Sequence, residues 1–345
     1  MIMRSGFKAG ALAMTGALLA GTALMTTSAE AQTELRLHTF VGPGHIIFRE
    51  ILQPWAAQVE EESGGELKIT LYPSMQLGGG APELIRGTQE GTWDMAFSLP
   101  GYTSAQFPRT QMLELPGLAE DGIAATRLMW DLIEGGHLEP EYENLKILAL
   151  WAADDAGLYT RDTPIRGLDD VQGMILRSPS AGQATQLEKM GATPVAMAIT
   201  ELYPQLERGV IDGVFTSACV GGAMELWRDA PHVQDWGIGP VTGWAILVSE
   251  EVWEGLPDDI QEQLREAMSE LERDAFSQYE AFVQAALDKM DEGGAELWTA
   301  PAEERARVLQ PEYSQAAYDS WYARAGEIGV DGQAYIEKVR GALGK

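Results

Sequence analysis

From Glu34 to about Ser249 the spacing of apolar residues changes repeatedly between a period of two and a period near 3.6. A mostly parallel sheet covered by helices is the architecture that this alternation builds. Leu35, Leu37 and Thr39 share one strand face, and Phe48, Ile51, Leu52, Trp55 and Val59 then mark the apolar stripe of a helix. Ser63-Gly64-Gly65 stops that helix, and Leu67, Ile69 and Leu71 return to period two, so the opening is a βαβ unit. Further strands are expected over 94–99, 145–151, 157–160, 174–177, 193–197, 212–217 and 245–249, with helices over 123–134 and 181–190. Gly78-Gly79-Gly80 reads as a loop with Pro82 at a first helical position. Thr200 is placed to cap a helix that reaches Arg208.

Two lobes follow from length and order. A second sheet is expected after Trp151, and the strand near Ala245 is expected to return to the first. Pro257 and Asp258 open the longest helical pattern, with Ile260, Leu264, Met268, Leu271, Ala275, Tyr279 and Phe282 on or near one face. Carried to Met290 it would be about 50 Å long, enough to brace both lobes, unless it breaks into two near Ser277. The lobes are expected to be discontinuous: 32–151 with about 241–285, and 152–240 with about 286–345.

The first 31 residues have the form of a secretory leader, with Arg4 and Lys8 before an apolar run and Ala29-Glu30-Ala31 as the cleavage site. The run is shorter than the roughly 20 residues of a membrane span, so export rather than direct membrane insertion is expected. A formal charge of -28 argues against nucleic acid or anionic lipid as a partner. Cys219 is the only cysteine, which excludes an internal disulfide framework and a Cys-based metal site, and a buried, inert thiol is expected.

Catalytic patterns are sparse. His38, His45, His137 and His232 are the four histidines, none at metal-ligand spacing on a helix, and capping or surface roles are expected for them. No G-x-S-x-G elbow occurs, and Ser178 and Ser180 have no base nearby in sequence. The triple glycine is followed by no Lys-Ser/Thr, so it is not a phosphate loop. Neither a metal nor a cofactor is expected.

Binding features are more definite. Ligands of open α/β sheets sit at the carboxyl ends of strands, and in two-lobed proteins between the lobes. Phe40, Leu99, Trp151, Arg177, Met197 and Thr216 all fall at or just past expected strand ends. Arg177 closes the apolar segment Val171-Gln-Gly-Met-Ile-Leu-Arg-Ser-Pro179. It is either a solvated strand end or a fixed cation, whose planar fork of donors suits a carboxylate.

Several ordered stretches resemble the solute-binding proteins of tripartite ATP-independent periplasmic (TRAP) transporters, the DctP family. Pro73-Ser-Met-Gln-Leu-Gly78 is similar to its P-x-x-Q-L-G loop, and Gly173-Met-Ile-Leu-Arg-Ser-Pro179 to its G-x-K-x-R-x-P strand. Met190-Gly-Ala-Thr-Pro-Val195, Glu201-Leu-Tyr203 and Gly209-Val-Ile-Asp-Gly213 follow in the family's order, and Trp253-Glu-Gly-Leu-Pro257 resembles the approach to its long helix. That brace-like helix favours this family over an ABC-type binding protein.

The resemblance implies an α/β, two-lobed periplasmic-binding-protein fold with hinge strands, which closes on an organic acid and delivers it to TRAP membrane permease subunits. It places Arg177 on the family's carboxylate clamp. The family's asparagine after Asp-Gly is replaced by Thr216. Where its sialic-acid binders have polar groups, this chain has Phe40, Leu99 and Gly157. The expected ligand is therefore an aromatic or apolar monocarboxylate enclosed by Phe40, Tyr102, Trp151, Met197 and Phe215, with Thr216 or Ser178 adding a hydrogen bond. A C4-type dicarboxylate is the alternative, with Arg161 or Arg109 serving its second carboxylate. A secreted hydrolase and a receptor for a sensor kinase are the other classes.

Overall fold

The structure is a computed structural model that describes residues 32–241 and 243–342, without the side chains of 270–279 and 342. The leader expected over residues 1–31 lies outside the described residues, as do the side chains of Leu271, Ala275 and Tyr279. Strands β1 (Thr33–Thr39), β2 (Leu67–Tyr72), β3 (Met95–Ser98) and β4 (Leu145–Trp151) come first. β5 (Asp155–Thr160), β6 (Ile175–Ser178), β7 (Thr193–Ala196), β8 (Gly213–Ser217) and β9 (His232–Pro240) follow, then β10 (Trp244–Ser249) and β11 (Glu296–Thr299).

Among the described residues these strands form two sheets, β2-β1-β3-β10-β4 and β11-β9-β5-β8-β6-β7. The first begins with the expected βαβ unit, β1 and β2 running parallel around the helix Gln53–Glu62, which Trp55 and Val59 anchor in the core. A π-helical turn over Phe48–Leu52 leads into that helix. Pro54 has no amide to continue the α pattern, which favours a wider turn before it. β10 returns to the first sheet, antiparallel to β3 and β4.

The two sheets are joined by a continuous antiparallel ribbon. Trp151 pairs with Trp244 at the first sheet, and Asp155 pairs with Pro240 at the second. Between them Ala153 N donates to Val241 O at 3.1 Å. A third connection is the unbroken helix Asp258–Glu292, 35 residues or about 52 Å long. It buries Ile260, Leu264 and Met268 near its start. It then passes so close to the helix Ala218–Ala223 that a Cβ on Gly222 would lie 2.9 Å from that of Ala286. The helix Pro311–Glu327 also reaches both sides, since Trp321 Nε1 donates to Pro108 O and the Thr185 and Ser320 hydroxyls lie 3.4 Å apart.

Three local expectations are corrected. Thr200 caps nothing: Ala198 is already extended and a 3-10 turn, Ile199–Glu201, absorbs the threonine before the helix Leu202–Glu207. His38 is neither a cap nor a surface residue. It is fully buried, accepts from Leu77 N at 3.2 Å and meets Trp93 edge to face. Gly157 does not line the cleft; a Cβ there would meet Gln234 O at 2.6 Å, so β9 rather than a ligand demands the glycine. Among the described residues no helix is long and apolar enough to cross a membrane.

Candidate functional site

The carboxyl ends of β1, β3, β4, β6 and β8 all converge on one cleft between the sheets, together with the first residue of β10. In an antiparallel strand the first residue lies at the same edge as its neighbours' ends, which brings Trp244 to Trp151. Phe97 stacks on Trp244 with centroids 5.2 Å apart, and Phe40 lies 5.5 Å from Tyr102 and 6.2 Å from Trp244. This aromatic group forms the first-sheet wall.

Arg177 stands opposite, in β6 between Val195 of β7 and Val214 of β8, and is only 1% exposed. Nε donates to Met197 O at 3.0 Å and Nη1 to Phe215 O at 3.3 Å. The two carbonyls aim the guanidinium without neutralising it, and among the described residues no carboxylate forms an ion pair with it. Burial lowers its pKa from the ordinary arginine value, and Tyr102 and then the Glu201 carboxylate oppose that shift. An arginine starts so far above neutrality that it stays protonated. A buried cation without an ion-paired carboxylate costs several kcal/mol.

A chamber of about 350 Å³, counted with its open mouth, adjoins it, lined by Phe40, Leu99, Tyr102, Arg177, Ile199 and Thr216 among others. Trp151 lines an adjoining chamber of about 980 Å³, counted with its open mouth. Met197 and Phe215 supply carbonyls, while the Phe215 ring sits in the core. Ser178 is buried with its hydroxyl donating to Ser180 O at 2.8 Å, and lines neither chamber.

Side chains from the two sides meet across the cleft. Ile199 N donates to Tyr102 Oη at 3.2 Å, Ala181 N to Ser104 Oγ at 3.2 Å, and Ser180 Oγ to Glu114 Oε2 at 2.5 Å. This is a closed arrangement.

His45, Asp154 and Trp244 are cleft residues that the sequence reading did not place there. His45 Nδ1 accepts from Ile47 N at 3.2 Å, and burial pushes its pKa down to about 4, so the ring is neutral at pH 7 with its proton on Nε2. Asp154 accepts from Ala218 N at 2.6 Å and Cys219 N at 3.2 Å. Cys219 is half-buried at the larger chamber rather than in the core, and burial pushes its pKa up, which keeps it an unreactive thiol. Among the described residues no group of three or more His, Cys, Asp or Glu is placed to hold a metal ion.

Two sheets joined by a hinge ribbon and a bracing helix, closed over one buried cation, define a two-lobed solute-binding protein. The chain belongs to the bacterial extracellular solute-binding proteins of family 7, the DctP family, which it matches over residues 37–324, and so to the TRAP solute-binding proteins. A solute-binding protein of Chromohalobacter salexigens is 26% identical over 83% of this chain and 84% of its own length. A TRAP solute-binding protein from Rhodoferax ferrireducens, solved with copurified benzoate, superposes with a TM-score of 0.81 at 24% identity, covering 90% of this chain and 97% of that one. Another, from a marine metagenome, is described as specific for aromatic acid ligands and was solved with 3-hydroxybenzoate. It gives a TM-score of 0.83 at 23% identity over 90% of this chain and 97% of that one.

Proposed function

We propose that this protein is a periplasmic receptor, released by cleavage after Ala31, that holds an aromatic or apolar monocarboxylate on Arg177 and delivers it to a TRAP-type permease. The observation that carries the reading is the Arg177 guanidinium. It is buried, aimed by two backbone carbonyls and, among the described residues, in no ion pair with a carboxylate, Glu201 acting on it only at longer range. A ligand carboxylate bound in two parallel hydrogen bonds would complete it. The aromatic wall of Phe40, Tyr102 and Trp244 faces the same chamber and suits a ring or branched body. The benzoate and 3-hydroxybenzoate bound by the two structural relatives belong to that ligand class.

The dicarboxylate alternative finds less support. Arg161 is paired with Asp162 and donates to Leu206 O, and neither it nor Arg109 lines a chamber. A hydrolase would need an activated serine at the cleft, whereas neither Ser178 nor Ser180 lines a chamber; the Ser178 hydroxyl donates to Ser180 O and Ser180 Oγ caps its helix at Gln183 N.

Titration calorimetry with benzoate, 3-hydroxybenzoate and succinate tests the reading. Arg177→Ala should weaken binding of the preferred acid more than a hundredfold, because a buried charge-assisted pair contributes about 3 kcal/mol or more. Equal affinity in parent and variant would remove Arg177 from the clamp, and a preference for succinate would replace the ligand class.

A further inference from the structure

A larger chamber adjoins the one at Arg177. The larger chamber abuts the smaller at His45, Ala153, Val220 and Trp244, which line both. Its far wall comes from Ile47 and Ile51 beside the π-helical turn, and from Met268 and Phe282 of the long helix. The helix that braces the two sheets is thus also a wall of the cleft.

Most of its polar lining is already engaged, and Glu50, also in the lining, pairs with Arg49. Thr126 Oγ1 donates to Gly122 O and accepts from Ala152 N, and Ser217 Oγ accepts from Val220 N. Asp154 is held by the Ala218 and Cys219 amides. The His45 ring has Nδ1 occupied by Ile47 N. Among the described residues neither chamber is lined by a second arginine or a lysine. The larger chamber therefore offers mainly apolar surface and no cation for a second negative charge, the neutral His45 Nε2–H at the junction of the two chambers being a donor without charge.

We propose that the two chambers form one elongated site, and that the ligand is an amphipathic monocarboxylate longer than benzoate: its carboxylate lies on Arg177, and an alkyl chain or second ring extends past Val220 and Trp244 to Met268 and Phe282. This rests on the carboxylate-clamp reading above. The smaller chamber takes the acid-bearing end, with Phe40 and Tyr102 against it. The larger one removes the rest from water, and each methylene buried there raises affinity roughly fourfold. A second carboxylate or a run of hydroxyls at the far end would be desolvated without a partner, which selects against dicarboxylates and sugar acids.

The test is a calorimetric series on the purified chain after exhaustive dialysis: benzoate, 3-phenylpropanoate and 5-phenylpentanoate, each against the parent, Arg177→Ala, Met268→Trp and Phe282→Trp. The expected result is affinity that climbs along the series in the parent. Each tryptophan variant, confirmed as folded by a thermal melt, should shrink the ratio of 5-phenylpentanoate to benzoate affinity at least tenfold by filling the far wall. Two variants on different turns of the helix guard against one that fails to fold. Affinity that is flat or falls with length, while benzoate still depends on Arg177, overturns the elongated site and leaves the clamp standing. Affinity independent of Arg177 across the series overturns both.

Discussion

Arg177 and Asp155 are charged side chains drawn away from water, and their surroundings act on them in opposite ways. Arg177 is surrounded by carbonyl oxygens and a tyrosine hydroxyl, which favour its cation. Asp155 is pushed up to about 7, first by burial and then by repulsion from Asp154, Asp235 and Asp121, with Arg305 opposing. Glu141, buried against Thr110, is also raised to about 7 by burial, despite accepting from the Arg109 and Thr110 amides. In both cases the folded protein holds the proton more tightly than the unfolded chain, whose carboxyls titrate near 4. The associated stability is fully present below about pH 4 and is lost as pH rises through about 7. Thermal melts should therefore show Tm falling from pH 5 to pH 8. Asp155→Asn should flatten that slope and stabilise the protein at pH 8 by on the order of 2 kcal/mol; a variant curve parallel to the parent's would place the pH dependence elsewhere. At this scale the sequence made Arg177 visible as a lone cation at a strand end. It left Asp155 invisible, because Asp235 and Asp121 are brought near it only by folding.

The elements show where local pattern suffices. β1 to β4 follow from Leu, Ile, Met and Phe in alternating or short continuous patterns bounded by turn residues, and Asp121 caps the helix Gly122–Glu134 through Ala124 N, as its position before an apolar stripe suggests. β9 was not legible. His232-Val-Gln-Asp-Trp-Gly-Ile-Gly-Pro240 contains residues that disfavour strands, and Gly237 and Gly239 sit at φ 55° and 126°. Pairing with β5 on one side and β11 on the other holds it in the sheet nonetheless. β11, four residues after Gly293-Gly294, is an edge strand too short for periodicity to reveal. The long helix was legible from its stripe, but its tight crossing was not. Gly222→Leu should force that crossing apart and destabilise the protein by about 1–3 kcal/mol, since added bulk has only Ala286 and backbone to move. Urea unfolding checks this, and an unchanged midpoint would mean that the helices separate at no cost.

For the whole molecule, the hydrogen bonds Tyr102–Ile199, Ser104–Ala181 and Glu114–Ser180 bridge the cleft and enclose Arg177. If Arg177 holds the ligand as proposed, a guanidinium only 1% exposed can be reached only when these bridges part, which predicts hinge motion. The ribbon through Ala153 and Val241 is the connection about which such a motion is expected to turn, with the Asp258–Glu292 helix limiting its range. Small-angle scattering should show a more extended ligand-free protein that contracts toward this structure when saturated with a tight acid; superimposable profiles would exclude closure. The sequence by itself determined the alternating α/β architecture, the order of elements along the chain and the single arginine at a strand's end, because those depend on residue periodicity and on one fixed charge. Only the tertiary structure decided that Trp244 and His45 share the cleft with Arg177, that Gly157 serves a strand rather than a ligand, and that the bracing helix walls a second chamber. Those relations join residues distant in sequence, and no local pattern records which of them packing will bring together.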